Sequence, residues 1–266
     1  MLLSIIIPVF NGADYIEKAI LSTEFMNNHE CEIIVVDDFS SDNTVSICKK
    51  FEEFDNFKLV TLEEHSGVSV ARNAGICASD STYISFLDSD DEYLPGTIKV
   101  WLSELKSSNY DLHIYGCKVV RKNMVKLYNP VKAKSLDRPA FLKYMFRYDL
   151  KQQVRYGVLW GKIYKKEMLN KCIFQENMQL GEDTFFNIDY YGAINNAFIH
   201  NEISYKHIQT DNSLSTQRYN DYSSLLDNTL EKYKKLFSQN GYSTSSPFLI
   251  KKRIEASYRK QKNQAR

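Results

Sequence analysis

Tyr83-Ile84-Ser85-Phe86-Leu87-Asp88-Ser89-Asp90-Asp91-Glu92 is the stretch around which the rest of the chain is organised. An apolar run from Tyr83 to Leu87 stops at three carboxylates in four positions, Asp88, Asp90 and Asp91. Such a run reads as a buried strand. Carboxylates crowded at its end repel one another and cost stability unless positive charge sits among them. In an extended segment Asp88 and Asp90 project to the same side. Two carboxylates at the C-terminal end of a strand suit a divalent cation, Mg²⁺ or Mn²⁺, that also holds substrate phosphates. A second reading is a helix start. Ser89 and Glu92 are spaced as a capping box, and Pro95 suits a first helical turn.

Outward from this stretch the pattern is regular. Leu2–Val9 is an apolar, β-branched run ended by Asn11-Gly12, a strand followed by a turn. Ala13 to Asn28 carries apolar residues at helical spacing. Glu32–Val36 is a second buried strand, also ending on carboxylates, Asp37 and Asp38. Ser40-Ser41-Asp42 then caps a helix. Phe57–Leu62 is a third strand, and Val68–Ala78 a helix containing Arg72 and Asn73. After the fourth strand, Ile98, Trp101, Leu102 and Leu105 form one helical stripe. Strands alternating with helices predict βαβ units and a mostly parallel sheet covered on both faces. Ligands of such sheets bind at the carboxyl ends of the strands. Neither G-x-G-x-x-G nor G-x-x-x-x-G-K-[ST] is present, so a dinucleotide fold or phosphate loop is disfavoured, and a metal is the expected phosphate holder.

Beyond residue 109 the pattern loosens. Asp111–Cys117 and Val119–Tyr128 predict a hairpin about Lys118, and Pro139–Tyr148 a short helix. Gly181-Glu182-Asp183 leads into a helix with Phe185, Phe186, Ile188 and Tyr191. Ala197–His207 alternates as a strand, and Tyr219–Phe237 is amphipathic.

The chain has 266 residues, with 43% hydrophobic and 25% charged, an ordinary globular composition. No apolar run approaches the ~20 residues of a membrane span, and the N-terminus reads as a strand rather than a signal peptide. Five cysteines at wide spacings fit free thiols in a reducing cytosol. Charge is uneven. Residues 1–100 hold 18 Asp/Glu against 6 Lys/Arg, a balance of −12, and residues 101–266 hold 15 against 28, a balance of +13. An acidic half that binds a nucleotide needs a cation to mediate, and the basic half suits an anionic partner.

The ordered motifs resemble the family 2 glycosyltransferases of the GT-A fold. They are Ser4 to Asn11, Glu32 to Asp42, Gly67-Val68-Ser69-Val70-Ala71-Arg72-Asn73-Ala74-Gly75, Tyr83 to Asp91, and Gly181-Glu182-Asp183. The resemblance is strong over residues 2–107 and looser to about 217. Phe39 stands where the family often has Gly, and Glu63-Glu64-His65-Ser66 replaces an Asn-rich turn. The implied fold is α/β, a Rossmann-like nucleotide-diphospho-sugar transferase with a mostly parallel central sheet. Residues 1–107 would form its nucleotide-binding half and 108–217 its acceptor-binding half. Residues 218–266 would add a helical, basic segment.

The resemblance also implies roles. Pro8, Phe10, Asn11, Asp38, Arg72, Asp88 and Ser89 would contact the nucleotide, a uracil N–H suiting Asp38; strand-end capping is the plainer role for Asp38, and a salt bridge to the acidic half the alternative for Arg72. Asp90 would ligate Mn²⁺ or Mg²⁺, with Asp88 holding the ribose or the metal's water. By its place after an alternating strand, His207 suits the metal site or the diphosphate, a structural role being the commoner fate of a lone His. Asp183 would be the catalytic base, with Glu182 orienting it or contacting the acceptor; an N-cap is the plainer role for Asp183. Trp160 and Lys162 are weaker acceptor candidates, with core packing the commoner fate of a lone Trp. The implied enzyme is an inverting hexosyl- or N-acetylhexosaminyltransferase. It would use a UDP-sugar and a glycan or lipid-linked acceptor in surface polysaccharide or lipopolysaccharide synthesis. It would be cytoplasmic, at the inner face of the membrane, with no nucleic-acid partner. The basic tail Lys251–Arg266 suits an anionic membrane surface or simple solvation. Two rivals stand beside this reading: a sugar nucleotidyltransferase, and a non-catalytic GT-A-like scaffold.

Overall fold

In the computed structural model β1 (Leu3–Val9) pairs in parallel with β2 (Cys31–Asp37) and β4 (Tyr83–Phe86), and β2 with β3 (Phe57–Thr61). The structure describes residues 1–122, 124–129, 132–152, 157–176, 178, 181–209 and 222–241. Every residue of β1 and β2 is buried, because both faces of these parallel strands are covered. Ile5 and Ile7 face α1 (Ile16–Ser22) and α4 (Thr97–Ser107), joining Ile16, Ile20, Ile98 and Trp101 in one core. Ile6 and Ile34 point the other way, into a core shared with Ala71 of α3 (Val68–Ala78) and Phe186 of α6 (Glu182–Ala193). Gly75 lets α3 lie directly on β1, since a Cβ there would sit 2.4 Å from Ile6 Cγ2.

The remaining strands are β5 (Glu92–Tyr93), β6 (Leu112–Arg121), β7 (Met124–Tyr128), β8 (Lys134–Asp137), β9 (Lys162–Lys165) and β10 (Asn196–Ile208). The sheet order is β3-β2-β1-β4-β9-β6-β10-β5, with β7 beside β6 and β8 beside β10. Strand β9 runs antiparallel to both β4 and β6, so β6 and its parallel neighbour β10 point the same way as β4. The carboxyl ends of β1, β2, β4, β6 and β10 therefore share one edge of the sheet. This is the mostly parallel α/β arrangement that the strand–helix alternation predicts.

Several local expectations change. The helix expected over Ala13–Asn28 ends at Ser22, because Glu24 turns left-handed (φ 49°) and a single 3₁₀ turn follows. Thr44–Cys48 forms the short α2 behind Asp42, which accepts the Thr44 N–H at 2.9 Å. Lys118 is not a turn. It lies inside β6, level with Leu127 and Lys206, and the chain reverses at Lys122 (φ 46°). Ser89 starts no helix. Glu92 enters β5 and pairs with Lys206 at 2.7 Å, and α4 begins only after Gly96 (φ 78°), with Pro95 outside it. Helix α5 (Arg138–Gln152) outlasts the short helix expected there. Helix α7 (Tyr222–Gln239) buries Leu230, Leu236 and Phe237, and its Lys232 pairs with Asp189 of α6 at 2.5 Å. Residues 210–221 and the basic tail lie outside the described residues. Among the described residues, no helix is long and apolar enough to cross a membrane.

Candidate active site

Two strand-end loops are pinned to each other. The Asn11 N–H donates to Ser40 Oγ and the Ser41 N–H to Asn11 Oδ1, both at 2.8 Å. The Gly12 N–H donates to Thr44 Oγ1 at 2.8 Å and the Ala13 N–H to Asp42 Oδ2 at 3.0 Å. Asn11 (φ 49°) thus fixes the edge on which Phe10 stands. Pro8 is buried inside β1, level with Val36. The exposed Phe10 ring stacks on His65, centroids 4.0 Å apart. Asp38 is nearly buried, and its carboxylate holds the turn that opens α3. It accepts the Ser66 N–H at 2.7 Å and the Gly67 N–H at 2.9 Å, and meets His65 Nδ1 at 2.9 Å. Phe39 adopts φ 65°, a conformation natural to glycine, with its side chain in solvent.

Arg72 joins the two halves of the sheet edge. Its Nη1 donates to Glu182 Oε1 at 3.0 Å and to Asp183 Oδ1 at 2.7 Å, and its Nη2 to Asp88 Oδ1 at 3.1 Å. The guanidinium is buried and packs over the Phe174 ring at 5.4 Å. Asn73, the next residue of α3, fixes the Phe174 backbone with two hydrogen bonds of 2.9 Å. One positive charge is shared among three carboxylates. Burial raises the Asp183 carboxyl above its usual range against the pull of Arg72, and the charges of Glu182 and Asp88 add to the rise. Burial alone would lower Arg72, yet Asp183, Asp88 and Glu182 hold it protonated. Gly181 (φ 83°), not Asp183, occupies the cap position of α6. The Asp183 carboxylate is thereby turned to Arg72, which displaces the N-cap role.

The third carboxylate of the opening stretch has a defined place. Asp91 is buried and accepts from Tyr205 Oη at 2.8 Å and from the Ile208 N–H at 2.7 Å, and it meets His207 Nδ1 at 3.0 Å. Burial would lower His207, but the hydrogen bond and charge of Asp91, with Asp88 and Asp90, raise it. The second ring nitrogen, Nε2, is the one left for a ligand. Asp90 has its carboxyl pushed up to about 7 by burial and by the charges of Asp91 and Asp88. Near it, Tyr15 reaches Ser89, and burial and the Asp90 charge raise its phenol.

Among the described residues, no three His, Cys, Asp or Glu side chains are gathered as a metal cage. Asp88 is drawn to Arg72 and Asp91 is spent on His207. The donor set still fits one hard cation. Asp90 carries negative charge that its surroundings disfavour, and His207 is backed by a carboxylate in the way metal-ligating histidines are. Substrate phosphates and water would supply the remaining ligands.

Trp160 is mostly buried and stacks against Tyr205 and His207, with centroids 6.0 and 6.3 Å away. It forms the floor beneath His207. Lys162 requires correction as an acceptor contact. It is wholly buried, its ammonium donates to the Val158 carbonyl, and it presents nothing at the surface. The sequence reading missed Tyr205, Tyr15 and His65. Tyr205 was signalled only by its alternation with Ile203 and His207 along one strand.

The signature of the family described as Glycosyl transferase family 2 matches residues 4–176. The chain belongs to this family. It is 28% identical over 224 residues to the uncharacterized glycosyltransferase EpsJ of Bacillus subtilis, covering 82% of this chain and 64% of that protein. It is 29% identical over 221 residues to the poly(ribitol-phosphate) beta-N-acetylglucosaminyltransferase TarP of Staphylococcus aureus, covering 78% of this chain and 63% of that protein. It spans less than two thirds of each of these two relatives. Residues 1–349 of S. aureus TarS, crystallised with UDP-GlcNAc, superpose with a TM-score of 0.76 at 21% identity, over 94% of this chain and 70% of that one. That likeness carries the GT-A fold.

Proposed function

We propose that this protein transfers a sugar from a UDP-sugar to a hydroxyl of a glycan or lipid-linked acceptor, in one displacement that inverts the anomeric carbon. The observation that carries this reading is the convergence of Asp88, Glu182 and Asp183 on Arg72 at the sheet edge where nucleotides bind such folds. TarP, named for N-acetylglucosaminyl transfer to a poly(ribitol-phosphate), supports a surface-polymer acceptor. TarS, crystallised with UDP-GlcNAc, supports a UDP donor.

The acceptor oxygen attacks the anomeric carbon as the bond from that carbon to the diphosphate breaks. UDP leaves with the electron pair, and the hydroxyl proton passes to Asp183. A carboxyl raised by burial is a better-matched base at neutral pH than an ordinary one. Arg72 and Glu182 orient it. Phe10, with His65 stacked on it, offers the aromatic surface for the base, and Asp38 holds the adjacent turn. Asp90 and His207 would hold Mn²⁺ or Mg²⁺, which when bound supplies charge to offset the diphosphate. The enzyme works on the cytoplasmic side of the membrane in surface glycan assembly. The test is a screen of UDP-, GDP- and dTDP-sugars for Mn²⁺-dependent thermal stabilisation and hydrolysis. UDP-sugars alone should respond. Silence across all donors favours a non-catalytic scaffold, and formation of a nucleotide sugar from a sugar phosphate favours a nucleotidyltransferase.

A further inference from the structure

The β6–β7 hairpin is the feature that nucleotide chemistry leaves unexplained. Strand β6 is level with the end of β4 near Ile114, through the pairings Ser85 to Ile163 and Ile163 to His113. It then runs on to Arg121, seven residues farther, about 23 Å past the end of β4 at ~3.3 Å per residue, with β10 beside it as far as Val120. That extension passes the edge carrying Asp88, Asp90 and His207, with His207 level with Val119, and the hairpin end at Arg121 to Met124 lies past the last β10 pairing. Strand β7 flanks it where β9 stops, and Tyr128 at its base lies 6.5 Å from Trp160.

The hairpin is apolar where it meets water. Met124, Val125 and Leu127 are 65%, 59% and 58% exposed, three of the five residues of β7. Successive strand residues point to opposite faces, so both faces of this ribbon are apolar and wet. Singly exposed apolar residues are ordinary, but a contiguous set marks an interaction surface. Charge identifies the partner. From Lys118 to Leu136 there are six Lys/Arg and no Asp/Glu. The nearby Glu92 is already paired with Lys206, and Lys126 lies over the Tyr128 ring at 4.6 Å.

We propose that this hairpin is a docking ribbon for an anionic lipid bilayer. Met124, Val125 and Leu127 enter the interfacial region while Arg121, Lys122 and Lys126 meet the headgroup phosphates. Apolar burial combined with cationic attraction is how interfacial segments bind such surfaces. A soluble polyanion has no use for three exposed apolar side chains, and lysine on an exposed edge strand opposes pairing with a second copy. Docked this way, the ribbon brings the bilayer to the edge on which the site opens. The proposal rests on the hairpin and not on the transfer chemistry.

The test is flotation of the full chain with vesicles of phosphatidylcholine alone and with about 30% phosphatidylglycerol, a composition that gives a negative surface. Binding should occur only to the anionic vesicles and should weaken with salt. The triple variant Met124→Ser/Val125→Ser/Leu127→Ser should lower the partition coefficient about tenfold or more, with its thermal midpoint and UDP–Mn²⁺ response unchanged. In Leu127→Trp, brominated lipid should quench fluorescence beyond that of the wild type. The proposal is overturned if the wild type ignores vesicles, if the triple variant partitions normally, or if position 127 is not quenched. It is also overturned if the triple variant instead abolishes a wild-type dimer, or if soluble polyphosphate binds the hairpin while anionic vesicles do not. Loss of the UDP–Mn²⁺ response with vesicle binding intact would count against the transfer reading only.

Discussion

Arg72→Met removes the cation that Asp88, Glu182 and Asp183 share, their oxygens lying 3.1, 3.0 and 2.7 Å from its nitrogens. The guanidinium is buried, while the three carboxylates keep 35%, 16% and 23% side-chain exposure, so water screens part of what is left behind. Breaking a buried pair by deleting one partner costs about 3–5 kcal/mol. Partial exposure places this case at the low end, about 3 kcal/mol, or a thermal midpoint lower by on the order of 10 °C for a chain of this size. Urea unfolding at neutral pH, with the m-value unchanged, measures it. The cause is testable separately. In the Arg72→Met background, Asp183→Asn removes a charge that no longer has a partner, so it should recover about 1–2 kcal/mol, a coupling within the range for contacting residues. In the wild-type background the same change should recover less, because Arg72 already offsets part of that charge. Arg72→Lys should rescue only in part, because one ammonium cannot reproduce the two-nitrogen fork. A neutral Arg72→Met, or two substitutions whose effects simply add, would refute the shared-cation account.

Phe39→Gly should stabilise the fold by about 0.5–1 kcal/mol, because release of the φ 65° strain exceeds the added chain entropy; a lower urea midpoint would contradict it. Gly75→Ala should cost about 1–3 kcal/mol, since the new methyl meets Ile6 at 2.4 Å, and the same unfolding curve reads it. Burial lowers His200 to about 3, with His113 adding, and lowers His113 to about 4. Both are depressed below the ordinary value of about 6.5, so the unfolded chain binds more protons over that window. Their contribution is complete above pH ~6.5 and is lost as pH falls toward ~4, by up to about 1.4 kcal/mol per pH unit for each ring. The variant His113→Asn/His200→Gln should therefore show a flatter stability profile between pH 4.5 and 6.5, and an unchanged slope would sink the assignment.

The parallel half of the fold was legible because its strands are buried on both faces. Residues 5–9 and 33–36 are continuous apolar runs that no amphipathic helix would show. The second half was less legible. Lys118 interrupts an apolar run and reads as a turn, yet its side chain is only half-buried where β6 runs past the end of β4, so the strand tolerates it. Glu24 broke a helix that the periodicity continued, through a left-handed backbone that its residue type does not advertise. Within the site, carboxylates at strand ends were visible as clusters. Their partners were not: Arg72 meets acids 110 and 111 positions away, and Tyr205 meets Asp91 across 114. A buried tyrosine reads as core until its hydroxyl is seen to have a partner. Lys162 was misplaced for the same reason. A lysine reads as surface, but its ammonium finds the Val158 carbonyl within the fold.

In the proposed mechanism Asp183 takes the acceptor proton while Arg72 and Glu182 hold it in place. The most direct measurement compares UDP release and product formation by the wild type and Asp183→Asn with the UDP-sugar that the donor screen selects, alongside UDP–Mn²⁺ binding by both. The account predicts unchanged nucleotide binding and transfer slower by about 10²–10⁴-fold, the usual contribution of a positioned base. Asp183→Asn transferring at the wild-type rate would contradict it.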